Sequence, residues 1–274
     1  YKIPAPSYAF YQNLASNIEK GPPNQHYLWP KQITEIQQHS YGYLMELRPP
    51  RYREFGEFLL GYACFKSWGV LLQAAMNIVE SFRLLHSRGY SYQDLNEGGF
   101  FIDPDNGDVL ICDNDNVAPF GVNLGVKGVP RYMAPEVVLN QSYPNTHTDR
   151  FSLAVILFRL FYIDHPLEGR FTLEFPLTDV TGARIYGLEP TFIYDPAHER
   201  NRPHPQVHVN VLRRWNLYPP DLAQTFPRAF TAGLQDIDSR VTALEWLDSF
   251  LKGRDMPVVT EGSEPVVTGS RHVT

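Results

Sequence analysis

Residues 85–102, Leu85-His86-Ser87-Arg88-Gly89-Tyr90-Ser91-Tyr92-Gln93-Asp94-Leu95-Asn96-Glu97-Gly98-Gly99-Phe100-Phe101-Ile102, decide how the chain is read. The stretch ends an apolar periodic run, passes a Gly breaker, puts an acid on a polar loop and returns to an apolar strand. Backward from it, Trp68 to His86 lines up Leu71, Leu72, Ala75, Ile78, Val79, Phe82 and Leu85 on one helical face. Forward from it, Phe100-Phe101-Ile102 and Val109-Leu110-Ile111 flank Asp105-Asn106-Gly107. Asn-Gly between two apolar runs predicts a hairpin, because Gly reaches positive φ at no steric cost. That hairpin delivers a second acidic turn, Ile111-Cys112-Asp113-Asn114-Asp115.

Two more signals follow in order: Gly128-Val129-Pro130-Arg131-Tyr132-Met133-Ala134-Pro135-Glu136, then Asp149-Arg150-Phe151-Ser152-Leu153 opening an apolar helix. Asp238-Ser239-Arg240-Val241-Thr242-Ala243 later precedes the helix of Trp246 and Leu247. Upstream, Tyr1 to Ile3 reads as the end of a strand, and Tyr8 to Lys20 has helical spacing stopped by Gly21-Pro22-Pro23. Extended stretches are expected around Tyr27-Leu28-Trp29 and from Tyr41 to Leu47, before Pro49-Pro50 breaks the chain. After Glu136 the pattern is mainly helical, with a long irregular stretch from Leu167 to Pro205. Residues 255–274 repeat Pro-Val-Val-Thr among Gly, Ser and Glu and read as a flexible tail.

Composition narrows the function class. Of 274 residues, 43% are hydrophobic and 14% aromatic, enough for a packed core. A net charge of -6 without a Lys/Arg run argues against a nucleic-acid surface, which must displace counterions from phosphate. The most apolar segment, Phe151 to Phe161, is too short to span a bilayer. Cys64 and Cys112 lie in apolar surroundings without metal-ligand spacing, and read as buried thiols of a reducing, cytoplasmic protein. Asp103, Asp105 and Asp108 lack the spacing of a calcium loop and read as a hairpin turn. His204 and His208 are broken by Pro203 and Pro205 and read as loop residues, and His86 as a structural contact.

Together, in this order and at these separations, the motifs resemble a eukaryotic-type protein kinase from its third strand onward. The resemblance implies an α+β, two-lobed fold. Residues 1–47 would be a truncated N-lobe (end of the third strand, helix C, last two strands), without the glycine-rich loop, and 48–254 a mainly helical C-lobe. Gly21-Pro22-Pro23, Leu28-Trp29-Pro30, Leu47-Arg48-Pro49-Pro50-Arg51, Asp113-Asn114-Asp115-Asn116 and His165-Pro166-Leu167-Glu168-Gly169 resemble a bacterial branch. Those kinases accompany PP2C-type phosphatases and von Willebrand A domain proteins, which are thereby implied as partners. By the same resemblance, Asp94 is the base that accepts the substrate hydroxyl proton, and Asp113 holds magnesium between the phosphates of ATP. Lys2 would contact the α- and β-phosphates, with Glu19 as its pairing acid. Met45 would line the adenine pocket, and the backbone of Glu46 and Arg48 would bond its edge. Glu136 and Arg240 would tie the activation segment to the late helices, and Asp149 would brace the catalytic loop.

The resemblance fails at several reacting positions. Gly99 stands where an Asn would hold a second magnesium, Asn96 where a Lys would meet the transferred phosphate, Gln93 where an Arg would receive an activation-loop phosphate, and Val129 where a Thr would bond the base. Asn114 and Asp115 follow the metal Asp in place of Phe and Gly, and Tyr132 is the sole hydroxyl between Asn114 and Glu136. The expectation is therefore a catalytically impaired kinase or pseudokinase that binds ATP and a protein partner. The alternative is an active Ser/Thr kinase.

Overall fold

The computed structural model describes the backbone at residues 3–4 and residues 8–37 and 40–254; Lys2 and the stretch 255–274 lie outside the described residues. The N-terminal part comprises β1 (Ile3–Pro4), α1 (Tyr8–Lys20), β2 (Gln32–Ile33), β3 (Ser40–Tyr41) and β4 (Tyr43–Leu44). Strand β1 pairs antiparallel with β3, Ile3 opposite Tyr41, and β2 with β4, Ile33 opposite Tyr43. The helix runs over the residues its spacing predicts, burying Phe10, Leu14 and Asn17. With Tyr41, Phe10 and Leu14 make a small separate core, against which Leu124 and Val126 of a much later segment also pack.

Two extended stretches turn out differently from the expectation. Tyr27 makes only a bridge to Ile111, and the strand lies at 32–33 instead. The apolar pattern at 27–29 reflects anchoring: Tyr27 Oη donates to the Ser81 carbonyl and Trp29 Nε1 to that of Asn17, at 3.0 and 2.9 Å. The second stretch is strand only to Leu44, with Met45 to Pro49 irregular.

Next come β5 (Arg53–Glu54), α2 (Phe55–Leu59), α3 (Trp68–Ser87), β6 (Tyr90–Ser91), β7 (Phe100–Ile102), β8 (Val109–Ile111) and β9 (Ala118–Pro119). The predicted hairpin is β7–β8, Phe100 opposite Ile111, with β5 on its outer edge, while β6 pairs with β9. Ser67 caps α3, its Oγ accepting from Val70 N–H. Gly107 has φ +76°, and a Cβ there would lie 2.5 Å from the Val70 carbonyl, so the turn packs on α3 only as glycine. Cys64 is exposed, contrary to expectation: its loop is held by Phe58 stacked on Phe65 at 4.5 Å, which leaves the thiol outside. Cys112 is buried as expected, and burial followed by the charge of Asp113 pushes its thiol up to about 12.

The remaining elements are helical: α4 (Pro135–Val138), α5 (Thr146–Tyr162), α6 (Asp179–Ala183), α7 (Val209–Arg214), α8 (Pro220–Phe230), α9 (Ala232–Gln235) and α10 (Ala243–Arg254). The stretch read as irregular between 167 and 205 holds α6, a 3₁₀ turn at Phe171–Glu174 and a π turn at Arg184–Leu188. Each is at most five residues, too short for periodicity to reveal. Helix α5 is buried nearly all round, the state of a helix at the centre of a core rather than on its surface. Phe158, Phe161 and Tyr162 on it meet Trp215, Phe226, Phe230 and Phe250 in edge and stacked ring contacts. Among the described residues no helix is long and apolar enough to cross a membrane. The architecture is α+β: a small strand-and-helix part over a mainly helical body, with β6 to β9 between them.

Candidate active site

Helix α5 positions the loop that follows β6. Asn145 caps the helix, and Asp149 falls in its first turn, 2% exposed. Asp149 Oδ2 accepts from Tyr92 N–H at 2.7 Å and Oδ1 from Gln93 N–H at 3.1 Å. His86, at the end of α3, brings Nε2 to 3.0 Å from the same carboxylate. Gln93 sits at φ +75°, a left-handed conformation that costs a non-Gly residue of order 1 kcal/mol or more. The buried carboxylate offsets that strain by taking both backbone donors. Ten residues further along α5, Arg159 Nη1 donates to Glu97 at the far end of the loop and to Tyr132 Oη. Asp94 is thus carried between two fixed points, half-buried, with Gly128 packed beside it.

Hairpin β7–β8 positions Asp113. Its φ is +56°, again left-handed for a non-Gly residue, and Asn114 behind it donates to the carbonyls of Leu28 and Ile111 at 3.0 and 2.9 Å. The Asp113 carboxyl is pushed up, first by desolvation in the cleft and then by the charge of Asp94. Asp115 is pushed up too, chiefly by burial and also by Asp113 and Asp94. Its proximity to both has no signal in the sequence, since a Gly is the resemblance's residue there.

The linker after β4 carries the residues that the resemblance assigns to the adenine. Met45 is half-buried and Glu46 exposed, with Lys31 bonded to the Glu46 carboxylate. The Arg48 guanidinium lies 4.3 Å over the Phe101 ring and donates to the Tyr52 carbonyl. Glu19 is exposed on the last turn of α1, and the expected Lys2–Glu19 pair lies outside the described residues. Far from the cleft, Arg240 Nη1 and Nη2 meet Glu136 Oε1 and Oε2 at 2.7 and 2.8 Å, and Arg240 also donates to the carbonyls of His147 and Gly233. Glu136, Asp149 and Arg240 therefore form a frame, while Asp94, Asp113 and Asp115 lie close enough for each to feel another's charge.

The loop's reacting edge is bonded to itself. Asn96 Nδ2 donates to Asp94 Oδ1 at 3.2 Å, and its Oδ1 accepts from Gly98 N–H at 2.9 Å. Val129 is 41% exposed and offers no hydroxyl to Asp94. Gln93 Nε2 donates to the Val122 carbonyl at 2.6 Å, and Asn123 Nδ2 donates to Gln93 Oε1 at 3.3 Å, so the neutral amide clasps the following segment. Tyr132, the hydroxyl of that segment, is 2% exposed and bonded by Arg159. Magnesium, implied by the resemblance, fits in part. Asp113 is a carboxylate short of nearby positive charge, yet among the described residues no three His, Cys, Asp or Glu converge as a metal group. One protein carboxylate and the phosphates of a nucleotide would have to complete such a site.

The profile of the protein kinase domain matches residues 54–200. Protein kinase YegI of Escherichia coli is 29% identical over 195 residues, which is 66% of this chain and 28% of that protein. Serine/threonine-protein kinase Sgk1-B of Xenopus laevis is 31% identical over 104 residues, 36% of this chain and 24% of that protein. Its counterpart in Danio rerio matches with the same figures. The matched stretch thus spans only about a quarter of each of these relatives.

Proposed function

The chain belongs to the protein kinase family, and from that premise we propose that it binds a magnesium nucleotide in the cleft but transfers phosphate poorly, serving mainly as a binding module for a protein partner. Nucleotide binding is supported by Asp113 facing Asp94 across the cleft and by the irregular linker at Met45 to Arg48. Among the described residues, no hydrogen bond takes up the backbone of Glu46 or Arg48, which leaves it for an adenine edge. Asp113 would hold the cation, which supplies charge neutralisation at the phosphates. Asp94 would take the proton of an incoming hydroxyl, and Asp149 keeps Asp94 oriented.

Impairment rests on one observation: Asn96 is turned onto Asp94 and Gly98, where a cation directed at the transferred phosphate is needed. Kinases turn over at about 1–100 per second, and losing one preorganised electrostatic group costs on the order of 100- to 1,000-fold. One such loss leaves about one turnover per second at best, and two leave practically none. The second reading, an active Ser/Thr kinase, is favoured by the retention of Asp94 and Asp113. A PP2C-type phosphatase or a von Willebrand A domain protein is the partner proposed, in the cytoplasm.

Labelled ATP, offered with generic and self substrates to the chain and to its Asp94→Asn variant, separates the readings. Label transfer indistinguishable between the two supports impairment; transfer that the substitution abolishes establishes an active kinase. Thermal shift tests binding itself. Nucleotide with magnesium at 100-fold its dissociation constant should stabilise by about 2.7 kcal/mol, roughly 5–10 °C for a domain of this size. A flat response would sink nucleotide binding.

A further inference from the structure

The motif His165-Pro166-Leu167-Glu168-Gly169 lies just after α5, and the catalytic reading leaves it without a task. Its polar groups converge on one residue, Arg131. Glu168 takes the Arg131 guanidinium with both oxygens, Nε on Oε1 at 2.6 Å and Nη2 on Oε2 at 2.7 Å. His165, 3% exposed, sets Nε2 2.8 Å from the carbonyl of the same residue. The motif is itself fixed from behind. Tyr186 Oη donates to Glu168 Oε1 at 2.6 Å, Leu167 N–H to His165 Nδ1 at 3.2 Å, and Asn201 Nδ2 to the Leu167 carbonyl at 2.9 Å. At 169 a Cβ would lie 1.9 Å from the Asn201 carbonyl oxygen, so only glycine lets the chain pass. Side chain and backbone of Arg131 are thus held at once, by a bidentate charged pair and by an imidazole.

What Arg131 carries is the segment packed beside the base. Gly128, three residues before it, sits at φ +96°, and its Cβ position is 3.3 Å from Asp94 Oδ1 and 3.4 Å from the Gln93 carbonyl. Val129 between them is exposed, and its carbonyl accepts from Tyr132 N–H at 2.8 Å. We propose that Glu168 and His165 are positioning residues for the segment 128–132, holding the surface that a protein meets beside Asp94 by a built-in carboxylate instead of a phosphate. The ordering is therefore permanent, in a segment that between Asn114 and Glu136 offers only the buried hydroxyl of Tyr132 for modification. The inference rests on the reading above that Asp94 meets an incoming hydroxyl.

A nitroxide reports on the segment directly. Val129→Cys is labelled in a Cys64→Ser background, Cys112 being buried, and its electron paramagnetic resonance line shape is recorded. One immobilised component is expected while the clamp is intact. Glu168→Gln should add a fast-moving component, and Tyr186→Phe, which removes one bond and keeps the charged pair, a smaller one. Phe250→Ala, a change at a fully buried core residue of α10, should lower the melting temperature and leave the line shape as it was. A label unmoved in a folded Glu168→Gln overturns the proposal; where that variant does not fold, an unmoved label in Tyr186→Phe does so. A label freed as much by Phe250→Ala also overturns it, because mobility would then follow stability alone. Magnesium with a non-hydrolysable ATP analogue should raise the melting temperature equally in Glu168→Gln and in the unaltered chain. A rise lost in Glu168→Gln alone overturns the assignment of the clamp to this edge. No rise in either chain removes nucleotide binding, and the label still decides the clamp.

Discussion

The two sides of the catalytic loop are built by different means. On the side facing α5, the loop is gripped by partners far away in sequence: Asp149 takes two of its backbone N–H groups, and Arg159 takes Glu97. These are charge-assisted bonds from buried side chains, about twice as strong as neutral ones. On the other side, the Asn96 side chain bonds only residues 94 and 98 among the described residues, and Gly99 has no side chain. The loop's position is over-determined from one side while its other edge is bonded only locally. Retention of the frame is thus what a folded binding module requires, and it says little about turnover.

The contrast is broken most strongly at the frame. Arg240 is 3% exposed and bonds Glu136 bidentately, besides two carbonyls. Arg240→Ala would strand the Glu136 carboxylate against the late helices. Removing one partner of such a pair costs about 3–5 kcal/mol, roughly 6–20 °C in melting temperature for a domain of this size. A shift under about 2 °C by calorimetry would show the frame to be dispensable.

Acid should attack a second part of the frame. His165 is buried; its Nε2 contacts the Arg131 carbonyl at 2.8 Å, and its Nδ1 accepts from Leu167 N–H at 3.2 Å. Only a neutral ring protonated on Nε2 satisfies both. Burial, with Arg131 and Arg159 nearby and Glu168 opposing them, holds the ring down to about 4. The unfolded chain therefore binds a proton from about pH 6.5 downward while the folded one does not. Stability is full above pH 6.5 and falls as pH drops toward 4, by up to roughly 3 kcal/mol. Glu168, held down to about 2 by His165 and by bonds from Arg131 and Tyr186 that outweigh its burial, extends the loss from about pH 4.5 downward. Urea midpoints between pH 4 and 7 should slope upward, and His165→Gln should flatten them. An unchanged slope would exclude His165.

The sequence carried the fold well where signals were long or chemically singular. Helices α1 and α3 and the β7–β8 hairpin lie where apolar spacing and Asn-Gly put them. The short helical turns between 171 and 188 were not legible, nor was the strand at 32–33, because two to five residues hold too little periodicity to distinguish them from loop. In the site, Asp94 and Asp113 could be named from motif order, and their proximity, close enough for one charge to act on the other, is what the structure adds. Tyr92 could not be found that way. Its hydroxyl bonds the Cys112 carbonyl twenty residues on, and each of the two looks unremarkable alone. Asp115 was passed over for a similar reason, since its effect arises from proximity to two other carboxylates.

The smallest expected effect lies at Gln93, where frame and edge meet. Its backbone N–H belongs to the Asp149 brace, while its side chain holds the Val122 carbonyl and Asn123 of the segment that runs on to Leu124 and Val126. Those two residues pack on the small N-terminal core with Phe10, Leu14 and Tyr41. The clasp therefore links the catalytic loop to the N-terminal part by neutral hydrogen bonds, with no phosphate required. Gln93→Ala leaves the brace intact and deprives the Val122 carbonyl, on an exposed residue, of its donor, at a cost of about 0.5–1.5 kcal/mol. The cost should fall locally: faster amide hydrogen exchange at 120–128, with α3 and α5 unchanged. Exchange rising equally in α5 would mean that the side chain supports the frame itself, and the division between the two sides of the loop would have to be redrawn.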